Sequence, residues 1–332
     1  MIARYYKVVA PMALMLSGLF SCSESPGEVC IDGAVWNTTY SIKYQGDASL
    51  VDSVHVIMRD VELSLSPFNR ESLISAVNSN RSQAVDSNIR NVFNISQRVN
   101  VLSCGAFDPT LSPLINLWGF GFGDQKSTSP DDAVIDSVLA TVGIADCHIV
   151  GDSIVKKHPD TTFNFSAVTK GYGCDMIAAM FRRNGVGNYL IEIGGEIALN
   201  GHNRRGKPWR VMIDAPVDSV AGHRGLLTIE PGQGGVATSG NYRNYRDMPD
   251  GRRIGHTISA VTGRPVVTNT LSATVIAPDC ATADALATAC MAMHPDSAVS
   301  MIRALPATEL ILVTLDADDC YKVMMTDDRY IL

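Results

Sequence analysis

The sequence predicts an α+β fold of mixed, largely antiparallel sheets packed against helices. Strand-like and helix-like segments do not alternate regularly, as they would in a doubly wound sheet. Many of the strand-like segments stand close enough to be hairpin neighbours. No internal repeat or low-complexity tract points elsewhere. The 332 residues are 46% hydrophobic and 18% charged, enough to bury a sizeable core and too apolar for a disordered chain. The formal net charge of -7, with no basic run interleaved with aromatics, excludes a general nucleic-acid binder.

The chain opens with positive charge at Arg4 and Lys7, an apolar stretch from Val8 to Phe20, and Leu19-Phe20-Ser21-Cys22 before a polar Ser-Glu-Ser-Pro. That apolar run is short for a bilayer span and reads as a signal peptide. Leu-x-Ser-Cys is similar to a bacterial lipobox, in which the cysteine thiol is lipidated and becomes the mature N-terminus. The expected organisation is a signal peptide at 1–21, lipidated Cys22 with a tether to residue 30, and one domain over 31–332. The expected location is the cell envelope, anchored by lipid to the inner membrane and facing the periplasm. Of the eight cysteines, Cys30, Cys104, Cys147, Cys174, Cys280, Cys290 and Cys320 remain, an odd set without a C-x-x-C pair.

Ala34 to Tyr44 alternates as a strand. Val51 to Leu65 has helical apolar spacing, Ile89 to Leu102 reads as a second helix, and Asp131 to Val142 as a third with acids in its first turn. Strands are expected at 147–155, 161–165, 189–193, 209–214, 225–230, 272–277 and 309–315, and a last one over Cys320–Met325. Helices are expected at 170–184 and 281–293.

Four segments carry candidate chemistry. The first is Gly105-Ala106-Phe107-Asp108-Pro109-Thr110, followed by Leu117-Trp118-Gly119-Phe120-Gly121; Asp108 can serve a ligand or its own turn. The second, Asn164 to Tyr172, places Lys170 where a helix begins, suited to a phosphate or to solvent. The third is Glu192-Ile193-Gly194-Gly195-Glu196, whose paired glycines let backbone approach a flat ligand, or simply make a tight turn. The fourth runs from 236 to 288. Val236 to Tyr242, with Ser239, reads as a small-residue loop. His256 and Ile258 precede the turn Thr262-Gly263-Arg264-Pro265. Asp284 and Thr288 share one face of an Ala-rich helix, where two oxygens suit a hard cation such as magnesium, or a helix dipole and a backbone carbonyl. The P-loop and Rossmann glycine patterns are absent.

Taken in order, these segments resemble the ApbE family of FAD:protein FMN transferases. The similarity runs through Thr39-Tyr40-Ser41-Ile42, Leu63 to Asn69, Gly105 to Thr110 with Trp118 to Gly121, and Ser166 to Tyr172 with Asp175. It continues through Glu192 to Glu196, Ala237 to Tyr242, His256 with Thr262-Gly263, and Ala283 to Ala289. The resemblance implies FAD as donor substrate, a magnesium ion and a protein acceptor. The ion would be held by the Ala167 carbonyl, Asp284 and Thr288. Flavin and phosphates would meet Trp36, Phe68, Ala106, Phe107, Asp108, Asn164, Lys170, Gly194, Gly195, Ser239, His256 and Ile258, with Lys170 and His256 as catalytic groups. The acceptor would be a Thr or Ser hydroxyl of an exported flavoprotein subunit, of a sodium-pumping quinone reductase or an Rnf complex. The chain departs from the family pattern at Trp36-Asn37-Thr38 (usually Met-Gly-Thr), at Ser259-Ala260 (commonly Asp-Pro or Asn-Pro) and at Asn164 (commonly Asp). Two alternatives stand beside the transferase: a magnesium-dependent FAD pyrophosphatase, and a lipoprotein that only binds flavin.

Overall fold

A computed structural model describes residues 27–121, 129–216, 225–240, 245–247, 253–255, 257–315 and 320–332. The signal segment with Cys22, as well as Asn241, Tyr242 and His256, lies outside these residues.

In chain order the elements are β1 (Glu28–Val35), β2 (Thr38–Gln45), α1 (Leu50–Leu65), α2 (Leu73–Asn78), α3 (Ser87–Leu102), α4 (Ser112–Leu117), α5 (Asp132–Leu139), β3 (His148–Val150), β4 (Ser153–Val155) and α6 (Ser166–Arg183). There follow β5 (Tyr189–Ile193), β6 (Glu196–Asn200), β7 (Val211–Asp214), β8 (Gly225–Ile229), β9 (Gly234–Gly240), β10 (Tyr245–Asp247), β11 (Arg253–Gly255), β12 (Thr270–Ala277), α7 (Cys280–Met291), α8 (Pro295–Arg303), β13 (Glu309–Leu315) and β14 (Tyr321–Met325). The main sheet has the order β1-β2-β5-β6-β9-β12-β13-β14 and is antiparallel at every pairing, as the α+β reading expects.

One face of this sheet packs against helices. Ile42, Ile191 and Ile193 meet Val54 and Met58 of α1 and Ile177 and Phe181 of α6. Further along, Ala237, Ala273 and Val275 meet Leu286 and Cys290 of α7, which packs in turn on Val92 and Val99 of α3. The Ala-rich composition of α7 has a mechanical reason. It is buried nearly all round between the sheet, α3 and α6, and small side chains allow that close packing. The other face is covered by the β7–β8 ribbon, through Trp209, Val211, Ile213 and Ile229 against Leu199, Val236, Ile276 and Ile311.

The structure corrects several local expectations. Ala34 to Tyr44 is not one strand. Trp36 and Asn37 form a two-residue turn, both with positive φ (49° and 60°), and reverse the chain between β1 and β2. That geometry matches a type I′ hairpin, and Asn favours it where Trp does not. Strand β1 starts at Glu28 and so takes up the end of the expected tether. Residues 161–165 form no strand, because their backbone bonds elsewhere: the Phe163 N–H and carbonyl pair with the Asn78 side chain, and the Asn164 N–H donates to the Pro109 carbonyl. The strand over 147–155 is the small hairpin β3–β4. The expected loop at 236–240 is β9, a central strand paired with β6 and β12. Its small residues answer to a neighbour: a Cβ on Gly235 would lie 2.3 Å from Cys280 Cα, so only glycine lets α7 start there.

Candidate active site

Lys170 sits one turn into α6, further along than a helix start, and its ammonium points at two carboxylates from distant segments. Nζ lies 3.3 Å from Glu196 Oε1 and 3.7 Å from Asp284 Oδ2. Both acids are buried, at 4% and 2% exposure, and Lys170 keeps 28% of its side chain open. Burial alone would lower the Lys170 pKa. The charges of Asp284 and then Glu196 outweigh that, and hold the ammonium above its usual range. Burial pushes the Asp284 carboxyl up, and Lys170 pulls it back toward the charged form. Burial pushes Glu196 up as well, helped by the nearby Asp284 charge.

The α6–α7 contact holds this cluster together. A Cβ on Gly171 would sit 2.3 Å from the Cys280 carbonyl oxygen, so glycine permits the approach. The Gly171 N–H donates to Asp284 Oδ2 at 3.1 Å. In a regular α-helix the partner of that amide is the Ala167 carbonyl, four residues earlier. Asp284 and the Ala167 carbonyl therefore face a shared donor. One turn along α7, the Thr288 hydroxyl meets the Ser239 hydroxyl of β9 at 3.2 Å. Asp175, on α6, receives the Cys280 and Ala281 amides at 2.9 and 2.8 Å and so fixes the first turn of α7. Its carboxyl is pushed up to about 7 by burial, against the pull of those two amides.

The Gly194–Gly195 turn joins β5 to β6 with φ of 63° and 98°, and delivers Glu196 as the first residue of β6. A Cβ on Gly194 would meet Thr38 at 2.9 Å and Lys170 Cδ at 3.2 Å, so the turn lies against the lysine stem. Trp36 packs its ring on Gly173 of α6, and its buried indole N–H has no partner among the described residues.

The remaining predicted residues stand around this centre. Asn164 accepts from the Ser166 amide at 3.0 Å at the head of α6, and its own amide donates to the Pro109 carbonyl at 2.8 Å. The 105–110 segment is thereby tied to the start of α6. Within it Phe107 is buried in the core and Ala106 is half-buried. Asp108 turns inward, accepting from the Thr110 amide and hydroxyl and from the Ile144 amide. Phe68 is exposed beyond the end of α1. Ile258 is buried with Leu114 and Trp118, and Trp118 donates to the Gly263 carbonyl at 2.8 Å.

A divalent cation of this chemistry asks for several oxygen donors. Among the described residues no three His, Cys, Asp or Glu gather as metal ligands. Asp284 with the Ala167 carbonyl and Thr288 hydroxyl instead offers one charge and neutral oxygens, a set of the type magnesium accepts beside a phosphate. The buried Glu196 Oε2, beside Lys170, has no hydrogen-bond partner among the described residues and so leaves the cluster short of a donor. The residues fit the ion. Glu196 is the member that sequence reading passed over. Its position directly after the paired glycines was the available signal.

The model of the ApbE family matches residues 36–312. This chain belongs to the ApbE family. It is 35% identical over 322 residues to the FAD:protein FMN transferase of Vibrio cholerae, covering 94% of this chain and 95% of that one. It is 32% identical over 279 residues to the Escherichia coli K12 protein of the same name, covering 82% and 79%. Among solved structures, the flavin transferase ApbE from Vibrio cholerae superposes with a TM-score of 0.80 at 32% identity, over 91% of this chain and 97% of that one. The apo flavinyl transferase ApbE of Pseudomonas stutzeri gives 0.80 at 28% identity, over 91% and 96%.

Proposed function

We infer that this chain is an FAD:protein FMN transferase, moving the FMN half of FAD onto a hydroxyl of another protein. The supporting observation is the meeting of Lys170, Asp284 and the Thr288–Ser239 hydroxyl pair, from segments far apart in sequence, in a chain of this family. The acceptor hydroxyl oxygen attacks the FMN-side phosphorus. A new P–O bond forms, the pyrophosphate P–O bond breaks, and AMP leaves with the bridging oxygen. Lys170 neutralises charge that grows on the pyrophosphate oxygens, and its carboxylate partners fix its direction beforehand. A low-dielectric pocket makes such a fixed ammonium worth more than the same group in water. His256 takes the hydroxyl proton. A magnesium ion held by the Ala167 carbonyl, Asp284 and Thr288 would supply Lewis-acid charge on the phosphates.

The acceptor is a Thr or Ser of an exported flavoprotein subunit, and the enzyme works at the periplasmic face of the inner membrane, anchored through Cys22. The Leu-x-Ser-Cys sequence supports this location. Replacing Cys22 by alanine is expected to give protein that no longer takes up labelled palmitate or fractionates with membranes.

The test of the reaction is the intact mass of an acceptor subunit after incubation with the protein and magnesium, with FAD and in parallel with FMN. An FMN-sized gain with FAD only, matched by AMP release, is expected. Free FMN and AMP beside an unmodified acceptor would establish a pyrophosphatase instead. Bound FAD without AMP under any condition would leave only a flavin-binding protein.

A further inference from the structure

The buried cluster holds one more carboxylate than a lysine counter-ion requires. Lys170 carries one positive charge, and Glu196 and Asp284 carry two negative ones when ionised, both within ion-pair distance of Nζ. Burying a surplus carboxylate is costly, and an Oε2 without a donor among the described residues adds to the cost. A cluster selected for stability alone would be better served by a single acid. The two contacts are also unequal: the ammonium is nearer Glu196, at 3.3 Å, than Asp284, at 3.7 Å. Glu196 is held rigidly in turn. It follows the Gly194–Gly195 turn directly, and its carbonyl accepts from the buried Cys174 thiol at 3.4 Å.

We propose that Glu196 is a positioning residue that shares the Lys170 ammonium with Asp284 and draws it the nearer, so that Asp284 stays open to a divalent cation. The proposal rests on the magnesium-dependent transferase reading above and adds to it a division of labour between the acids. Without the Glu196 charge, the flexible lysine would close on Asp284, the nearest remaining anion, and compete directly with the cation. The lysine would also leave the place where a pyrophosphate meets it.

The experiment titrates magnesium into the FAD-free full-length protein by calorimetry, and measures AMP release and acceptor labelling in parallel. Wild type, Glu196→Gln, Glu196→Asp, Lys170→Ala and the Glu196→Gln/Lys170→Ala double variant are compared. Glu196→Gln is expected to weaken magnesium binding at least fivefold and to lower kcat at least tenfold. Glu196→Asp, which keeps the charge but withdraws it, should fall between Gln and wild type on both measures. The signature is rescue: adding Lys170→Ala to Glu196→Gln should restore magnesium affinity to within twofold of wild type, because the competing ammonium is gone. Kinetic activity should not recover. A Glu196→Gln protein with wild-type magnesium affinity, or a double variant no tighter than Glu196→Gln, would overturn the proposal. If Glu196→Gln does not fold, the decision falls to Glu196→Asp, and wild-type values for that variant would overturn it equally. A wild-type protein that neither labels an acceptor nor releases AMP would overturn the transferase reading, and the magnesium titration would still report on the counter-ion.

Discussion

Asp108 and Asp284 are both buried carboxylates, 9% and 2% exposed, and burial pushes the pKa of each upward. Their surroundings differ in kind. Asp108 accepts from the Thr110 amide and hydroxyl in its own loop, from the Asn100 side chain and from the Ile144 amide, which is distant in sequence; all these donors are neutral. Asp284 takes one amide from another helix and faces a lysine that also answers to a third segment. The first carboxylate closes a turn and is satisfied there. The second stands in a cluster whose charges do not cancel. Depth of burial therefore does not tell these two carboxylates apart, whereas the charge of the groups that contact them does.

The sharpest test of that contrast is a pair of alanine variants. Asp284→Ala is expected to lower the transfer rate about a hundredfold or more, by removing the carboxylate from the proposed cation site, and to flatten the magnesium dependence of AMP release. Asp108→Ala leaves two or more buried donors unpaired and should cost about 2 kcal/mol or more of stability in urea unfolding. Its loss of rate per folded molecule should be the smaller of the two. If Asp108→Ala instead raises KM for FAD steeply at unchanged stability, the two acids are not of different kinds.

A second pair probes packing in the same two regions. Gly171→Ala would place a methyl 2.3 Å from the Cys280 carbonyl, backbone against backbone, and should cost about 2–3 kcal/mol with a fall in rate as α6 and α7 part. Gly105→Ala meets nothing within 4 Å, and only its φ of +83° resists the change, so about 1 kcal/mol and near-normal rate are expected. Equal losses at both positions would show that the helix contact is not the tighter constraint.

The effect that leaves the transfer rate least touched concerns Asp175, whose carboxyl is pushed up to about 7 from 3.8 for the free group. The folded state then holds a proton that the unfolded chain has released between those values. Stability from this group is thus greatest at acid pH and declines as pH rises toward 7. Wild type should lose on the order of 2 kcal/mol between pH 5 and pH 8 through this group, and Asp175→Asn should show a flatter curve. Parallel curves in urea unfolding at the two pH values would remove Asp175 as the cause.

The sequence by itself determined what local spacing can encode. Apolar periodicity set α1 to within a residue, because residues one turn apart meet a common surface wherever the helix lies, and the helices read over 89–102 and 281–293 fall within two residues of α3 and α7. The same rule placed Asp284 and Thr288 on one face before any fold was known. Only the tertiary structure decided the rest. Strand β9 reads as a loop because its Gly, Ala and Ser outweigh Val236 and Thr238 in local preference; pairing with β6 and β12, and the need to admit α7, make it a strand. The turn at Trp36-Asn37 was hidden by strand-forming residues on both sides and is fixed by the pairing of β1 with β2. Glu196 became a member of the site only when the sheet brought residues 170, 196 and 284 within ion-pair reach. No spacing rule reaches across such separations, since charges pair through space and their distance is set by the packing of the elements that carry them.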